Sequence, residues 1–182
     1  MKPNPEGIAA SINATKKGRG LPPVHLWNPP FCGDIDMRIA RDGTWFYEGS
    51  KITRPGLVGL FSSILKLEDG KFFLVTPVEK VGITVEDAPF VAVDFEQHGA
   101  DIVFETHVGD SVTVGPENAV RIDVAEDGEP SPYLHVRAGL EALIDRKSFY
   151  RLVEVGAYHE GMFGIWSGGA FFPFVESAAL QD

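Results

Sequence analysis

Ile35, Met37 and Ile39 alternate with Asp34, Asp36 and Arg38, the period-two pattern of a strand with one buried face. Arg41, Asp42 and Gly43 then supply a turn, and residues 44–49 read as the partner strand of a hairpin. The same succession recurs down the chain. Glu68, Asp69 and Gly70 form a turn before a strand at 71–76. Short extended runs follow at 83–85, 90–95, 102–106, 112–114, 120–124, 133–136, 149–155, 162–166 and 170–174, separated by Gly, Pro and Asp clusters. Thirteen Phe, three Trp and four Tyr suit strands and a dense core. Two segments break the pattern with helical spacing. Leu57, Leu60, Phe61 and Ile64 share one face of a helix capped by Thr53, and residues 138–146 read as a second short helix. The expected fold is α+β, mostly antiparallel β with two short inserted helices. A chain of 182 residues is long enough for one domain or two small ones and can bury roughly 70% of its unfolded surface.

Ahead of the first strand, Asn4 and Pro5 open a helix, with Asn a good N-cap and Pro suited to the first helical position. Ile8 and Ile12 share its face, Lys16 and Lys17 favour its C-terminal end, and Gly18 can cap it. Pro22, Pro23, Pro29 and Pro30 then enforce an extended strap, in which Leu26 and Trp27 are expected to be buried against the first sheet. The expected division is residues 1–32 for helix and strap, 33–96 for a first β-rich domain and 97–182 for a second.

Arg54, Gly56, Leu57 and Leu60 recur as Arg137, Gly139, Leu140 and Leu143. Each segment follows an Asp-Gly turn and an aromatic strand, and each precedes another aromatic strand. The reading is a β-helix-β unit used twice; convergence of two ordinary amphipathic helices would look the same.

The formal net charge is −10, and the one basic cluster is Lys16, Lys17 and Arg19. Phosphate-driven binding of bulk nucleic acid or an anionic membrane is therefore disfavoured. Cys32 is the only cysteine, which rules out an intramolecular disulfide and a CxxC metal site; it reads as a packed thiol. Residues 1–20 hold no apolar signal-peptide core, and the apolar runs are too short to span a bilayer, so cytoplasmic residence is expected. Catalytic motifs are absent. Ser167 lacks the preceding glycine spacing of a nucleophile elbow, and Gly18 and Gly20 follow no strand. Ile39 stands where a calcium loop needs glycine. Glu96, His98 and Asp101, or His107 with Asp110, lack a diagnostic metal spacing. No catalytic residue, metal ligand or cofactor is assigned.

Arg54 and Arg137 are the most informative side chains. A cation at a helix start opposes the dipole, so a negative group should face each. A bound phosphate or carboxylate is one candidate, and a structural pair with Asp36, Asp42 or Asp87 is the other. Tyr133, His135 and Arg137 alternate along one strand and project from one face, a set of donors suited to an anionic or aromatic ligand. Trp45 and Tyr47 also share a face, where they can stack on a base or pack in the core.

Several ordered runs carry a family resemblance: residues 33–39, Asp42 to Trp45, Thr76 to Lys80, Tyr133 to Arg137, the Trp27-Asn28-Pro29 strap and the helix entrance at Arg54 to Leu57. Together they resemble the bacterial domain-of-unknown-function family 1285 over roughly residues 21–155. The resemblance implies two related β-rich domains, the second similar to pleckstrin-homology-like folds. It further implies a signalling role with a small, nucleotide-like ligand between the domains. The leading expectation is a non-enzymatic protein that binds a small anionic ligand through Arg54, Tyr133, His135, Arg137, Trp45 and Tyr47. The alternatives are a protein-interaction module using the aromatic region 166–174, and a hydrolase without a recognisable motif.

Overall fold

Five hairpins are closed by residue pairs with positive φ at both positions: Glu48-Gly49, Asp69-Gly70, Ala138-Gly139, Glu160-Gly161 and Gly168-Gly169. This is the backbone that a type I′ turn requires, and it matches the twist of the flanking strands. These turns set the meanders of two units, Met1–Pro89 and Phe90–Asp182, in a computed structural model that describes residues 3–15 and 20–180. The units divide earlier than the expected boundary at 96 and 97, which falls inside a strand.

In the first unit, helix α1 (Pro5–Thr15) begins as its sequence directs. The Asn4 side-chain oxygen accepts from the Gly7 N–H at 2.8 Å, and Ile8 and Ile12 are fully buried. The cap expected from Lys16, Lys17 and Gly18 lies outside the described residues. The strands that follow are β1 (Phe31–Ile39), β2 (Trp45–Tyr47) and β3 (Ser50–Lys51). After helix α2 (Pro55–Ser62) come β4 (Leu65–Glu68), β5 (Lys71–Val75) and β6 (Lys80–Val85). They form one sheet in the order β3-β2-β1-β6-β5-β4. At its centre β1 runs parallel to β6, and the other pairs are antiparallel. Asp34 lies opposite Gly82 in that parallel pair, and a Cβ at Gly82 would sit 2.0 Å from the Asp34 carboxylate, so a larger residue there would require the Asp34 side chain to turn aside.

The strap departs from expectation. Val24–Leu26 forms a single 3-10 turn that leaves Leu26 73% exposed and Trp27 only half-buried. The anchors are instead Pro29, which is buried, and the Pro30 carbonyl, which accepts from the Lys80 N–H at 3.2 Å. The turn rotates Leu26 outward, which a uniformly extended strap would not do.

The second unit repeats the sheet. Its strands are β7 (Phe90–His98), β8 (Asp101–Thr106), β9 (Ser111–Thr113), β10 (Val120–Val124), β11 (Pro130–Arg137) and β12 (Leu140–Ile144). The order is β10-β11-β12-β7-β8-β9, and β12 runs parallel to β7. In both units, then, the first and last strands in sequence meet as a parallel pair, flanked by antiparallel neighbours. This sheet is the duplicated element. The helices are placed differently: α2 lies between the third and fourth strands, whereas α3 (Arg146–Glu154) follows the sixth. The helix expected at 138–146 is therefore a correction. Gly139 is the second residue of a type I′ turn, and Leu140, Ala142 and Ile144 are buried at period two. Leu140, Leu143 and Ile144 mimic helical spacing only because Leu143 adds an apolar residue on the other face. The true helix begins at Asp145, whose carboxylate accepts from the Ser148 N–H at 2.8 Å, where a strand was expected.

A three-stranded sheet ends this unit: β13 (Ala157–His159), β14 (Met162–Ser167) and β15 (Ala170–Glu176). Buried Ser167 fastens it to the larger sheet. Its hydroxyl donates to the Val114 carbonyl at 2.7 Å and accepts from the Ile102 N–H at 2.8 Å. Cys32, read as a packed thiol, is exposed.

The burial contrast between α1 and the strap is testable by urea denaturation. Ile12→Ala should lower the unfolding free energy by about 2–5 kcal/mol, as for other buried Ile truncations. Leu26→Ser should change it by less than about 0.5 kcal/mol.

Candidate functional site

Seven arginines lie among the described residues, and six of them reach a carboxylate. Arg38 meets Glu86 at 2.5 Å, Arg41 meets Asp87 at 3.2 Å and Arg121 meets Glu141 at 2.8 Å. Arg137 meets Asp110 at 3.0 Å, Arg146 meets Glu129 at 3.1 Å, and Arg151 meets Asp94. Arg54 is the exception: no described carboxylate lies within 4.0 Å of its guanidinium. Two of the three partners proposed for it are otherwise engaged. Asp87 takes Arg41, and Asp42 accepts from the Thr44 N–H at 2.9 Å, a bond that holds its carboxyl below the usual range.

The local sequence explains why Arg54 stands free. It is the N-cap of α2, in an extended conformation and without a side-chain cap, and Pro55 follows at the first helical position. Proline there is preorganised for a helix start. Arg54 thus stands at the positive end of a helix dipole with no described carboxylate within 4.0 Å to offset it. It lines two adjoining cavities within the first unit. One, of about 420 Å³, includes Tyr47, Ser50, Lys51 and Thr53. The other is a groove of about 850 Å³ bordered by α1 and α2. Glu6, Arg54 and Leu57 line both. Lys51 forms no ion pair with a described carboxylate, so it adds a second cation.

Tyr47 opens into the smaller cavity. Burial, then the Glu48 carboxylate as a charge and as a hydrogen-bond partner, then the Asp36 charge, push its phenol above the ordinary value, so the hydroxyl is protonated and faces carboxylates of its own chain. Trp45 does not join it. The indole is 1% exposed and packs against Phe61 with ring centroids 6.1 Å apart, which places it in the core.

In the second unit, Tyr133, His135 and Arg137 are all engaged by protein groups. The Arg121 guanidinium lies 4.5 Å from the centroid of the buried Tyr133 ring while it forks onto both Glu141 oxygens at 2.8 Å. His135 Nδ1 donates to the Glu117 carbonyl at 2.8 Å, and its Nε2 accepts from the Gly139 N–H at 3.0 Å. A register shift between His135 and Arg137 breaks the alternation on which a shared face depends. Arg137 pairs with Asp110 and stacks 5.0 Å from the Phe90 centroid. The partner is a residue the sequence offered no reason to choose. Of the six expected ligand residues, Arg54 and Tyr47 line a common cavity. Lys51, Glu6 and Leu57 join them and were not anticipated; the signal available was Pro55, which marks Arg54, unlike Arg137, as a helix entrance.

Among the described residues there is no group of three His, Cys, Asp or Glu side chains able to hold a metal ion, and no helix long and apolar enough to cross a membrane. Two family models match the chain: the N-terminal domain of a domain of unknown function, DUF1285, over residues 22–88, and the C-terminal domain of the same family over residues 89–174. The chain belongs to the DUF1285 family. A crystal structure of a DUF1285 family protein from Silicibacter pomeroyi DSS-3 is similar at 60% identity and TM-score 0.88, covering 97% of this chain and 98% of that one. A second DUF1285 structure, from Shewanella baltica OS155, is similar at 32% identity and TM-score 0.53, covering 65% of this chain and 90% of that one. No curated protein matches the chain. The two DUF1285 models meet between residues 88 and 89, next to the division between the two units.

The engagement of Arg137 predicts a structural role. Arg137→Ala should lower stability by about 1.5–3 kcal/mol through loss of a charge-assisted hydrogen bond. The urea midpoint should fall.

Proposed function

We propose that this DUF1285 protein binds a small anionic ligand, and that the site is the cavity of the first unit around Arg54, Lys51 and Tyr47. The observation that carries this reading is the isolation of Arg54. In an acidic chain whose other described arginines are matched to carboxylates, one guanidinium is left over a cavity at the positive end of a helix. A negatively charged molecule as a whole repels anions, so an anion site must concentrate its cations locally. Arg54 offers a planar fork to a phosphate or carboxylate, and Lys51 adds a point charge. Such a site recognises a charged group and needs no chemistry, which suits a ligand-sensing role in signalling.

A second reading rests on the aromatic residues of β13–β15. His159, Trp166 and Phe171 lie within 4.8–5.3 Å of one another by ring centroid, and Trp166 is 45% exposed. Exposed aromatic residues of this kind are suited to a protein interface.

The anion reading is tested by calorimetric titration of the full chain with inorganic phosphate, short carboxylates and nucleoside monophosphates. At least one should bind, with affinity that falls as salt rises. Arg54→Gln should weaken it by about 1.5–3 kcal/mol, or roughly 10- to 150-fold. Equal affinities in wild type and a folded Arg54→Gln variant would remove the site.

A further inference from the structure

Helix α2 has the sequence Pro55-Gly56-Leu57-Val58-Gly59-Leu60-Phe61-Ser62, with no charged residue, yet only Phe61 and Ser62 are buried. Leu57, Val58 and Leu60 remain half-exposed. A surface helix ordinarily turns a charged or polar face to water; this one turns an aliphatic face to the groove it shares with α1. On the opposite wall Ala9 and Ala10 lie between Glu6 and Asn13, and Pro22 contributes at the margin. The described lining residues differ from one end of the groove to the other. Arg54 stands at one end, with Lys51 in the adjoining cavity beyond it, and toward Ser63 the described lining residues include no cation. From Arg54 to Ser63 the helix rises about 13 Å.

We infer that the anion held at Arg54 carries an unbranched aliphatic tail, and that the tail lies in the groove between α1 and α2. The inference rests on the anion reading and names the ligand class. A cationic end joined to an aliphatic trough is complementary to a single-chain amphiphile with an acidic head. A nucleobase would find no aromatic ring among the described lining residues of the groove on which to stack. Glu6 lines the seam between the two cavities, and its carboxylate directs the head toward the Lys51 side. Burial of the tail removes Leu57 and Leu60 from water along with the methylenes that cover them.

The test uses the full chain with monomeric octanoate, decanoate and dodecanoate below their micelle concentrations. Each added methylene should tighten binding about fourfold until the groove is filled, the fold-change that corresponds to about 0.8 kcal/mol per buried methylene. Gly59→Leu separates tail from head. A Cβ at Gly59 meets nothing within 4 Å, so the larger side chain enters open groove, and replacing a mid-helix glycine favours the helix. The variant should keep its thermal midpoint or raise it. It should lose the chain-length dependence and retain the affinity for inorganic phosphate or acetate. Dodecanol, without the charge, should bind more weakly than dodecanoate, and Arg54→Gln should erase that difference. Equal affinities across the carboxylate series, or an undiminished series in folded Gly59→Leu, would overturn the tail while leaving the anion site standing. Dodecanoate and dodecanol binding alike in wild type would overturn the head and the anion site together. Sedimentation with phosphatidylglycerol vesicles in the absence of any binding to monomeric dodecanoate would overturn the inference in favour of a bilayer surface.

Discussion

A parallel strand pair stands at the middle of each six-stranded sheet, β1 beside β6 and β12 beside β7. Two parallel neighbours cannot be joined by a tight hairpin, because the chain must return to the same end of the sheet before it pairs. Everything between first and last strand therefore serves as the crossover, and the remaining strands fold into meanders on either side. In the first unit the crossover carries α2. In the second it passes through the Gly115–Asn118 bridge without a helix, and α3 comes only after the parallel pair is complete. One sheet plan thus leaves the two units with different helices, and the groove beside Arg54 belongs to the first.

Charge is distributed by the same scaffold. Most arginines lie on or beside strands whose neighbours present carboxylates at pairing distance: Arg121 and Glu141 extend from β10 and β12, and Arg38 and Glu86 from β1 and the end of β6. Exposed pairs of this kind add at most about 1 kcal/mol each. Their larger consequence is that they cancel the local cationic field. Arg146 and Arg151 of α3 also reach carboxylates, Glu129 and Asp94, whereas Arg54 at the start of α2 meets no described one.

Much of the architecture was legible from residue pattern. Asn4 caps α1, Ile8 and Ile12 form its buried face, and the alternation of Ile35, Met37 and Ile39 marks β1. The turn at Asp69 and Gly70 closes a hairpin, and the prevalence of short strands follows from recurrent period-two runs. Family membership was equally legible, since ordered runs of residues carry it. The segment after Arg137 was not. Arg-x-Gly-Leu can open a helix when proline follows the arginine, as at Arg54, or close a type I′ turn when Ala138 and Gly139 both take positive φ. Four matching residues do not distinguish these backbones.

By itself the sequence determined the local conformations that depend on neighbours in the chain: caps, Asp-Gly turns, strand alternation and the composition that makes the protein acidic and strand-rich. Tertiary structure decided which charges meet. Arg137, at the end of β11, reaches Asp110 in the turn between β8 and β9 with its guanidinium 5.0 Å from the Phe90 ring centroid. His135 is held between the Glu117 carbonyl and the Gly139 N–H, and Trp45 is covered by Phe61. Leu26 turns outward because a 3-10 turn interrupts the strap. A side chain's neighbours across a sheet are separated from it by long stretches of chain, and no local pattern records the register that brings them together. Arg54 follows the same rule in reverse: its helix entrance was readable, whereas its lack of a carboxylate partner emerged only once every strand had taken its place.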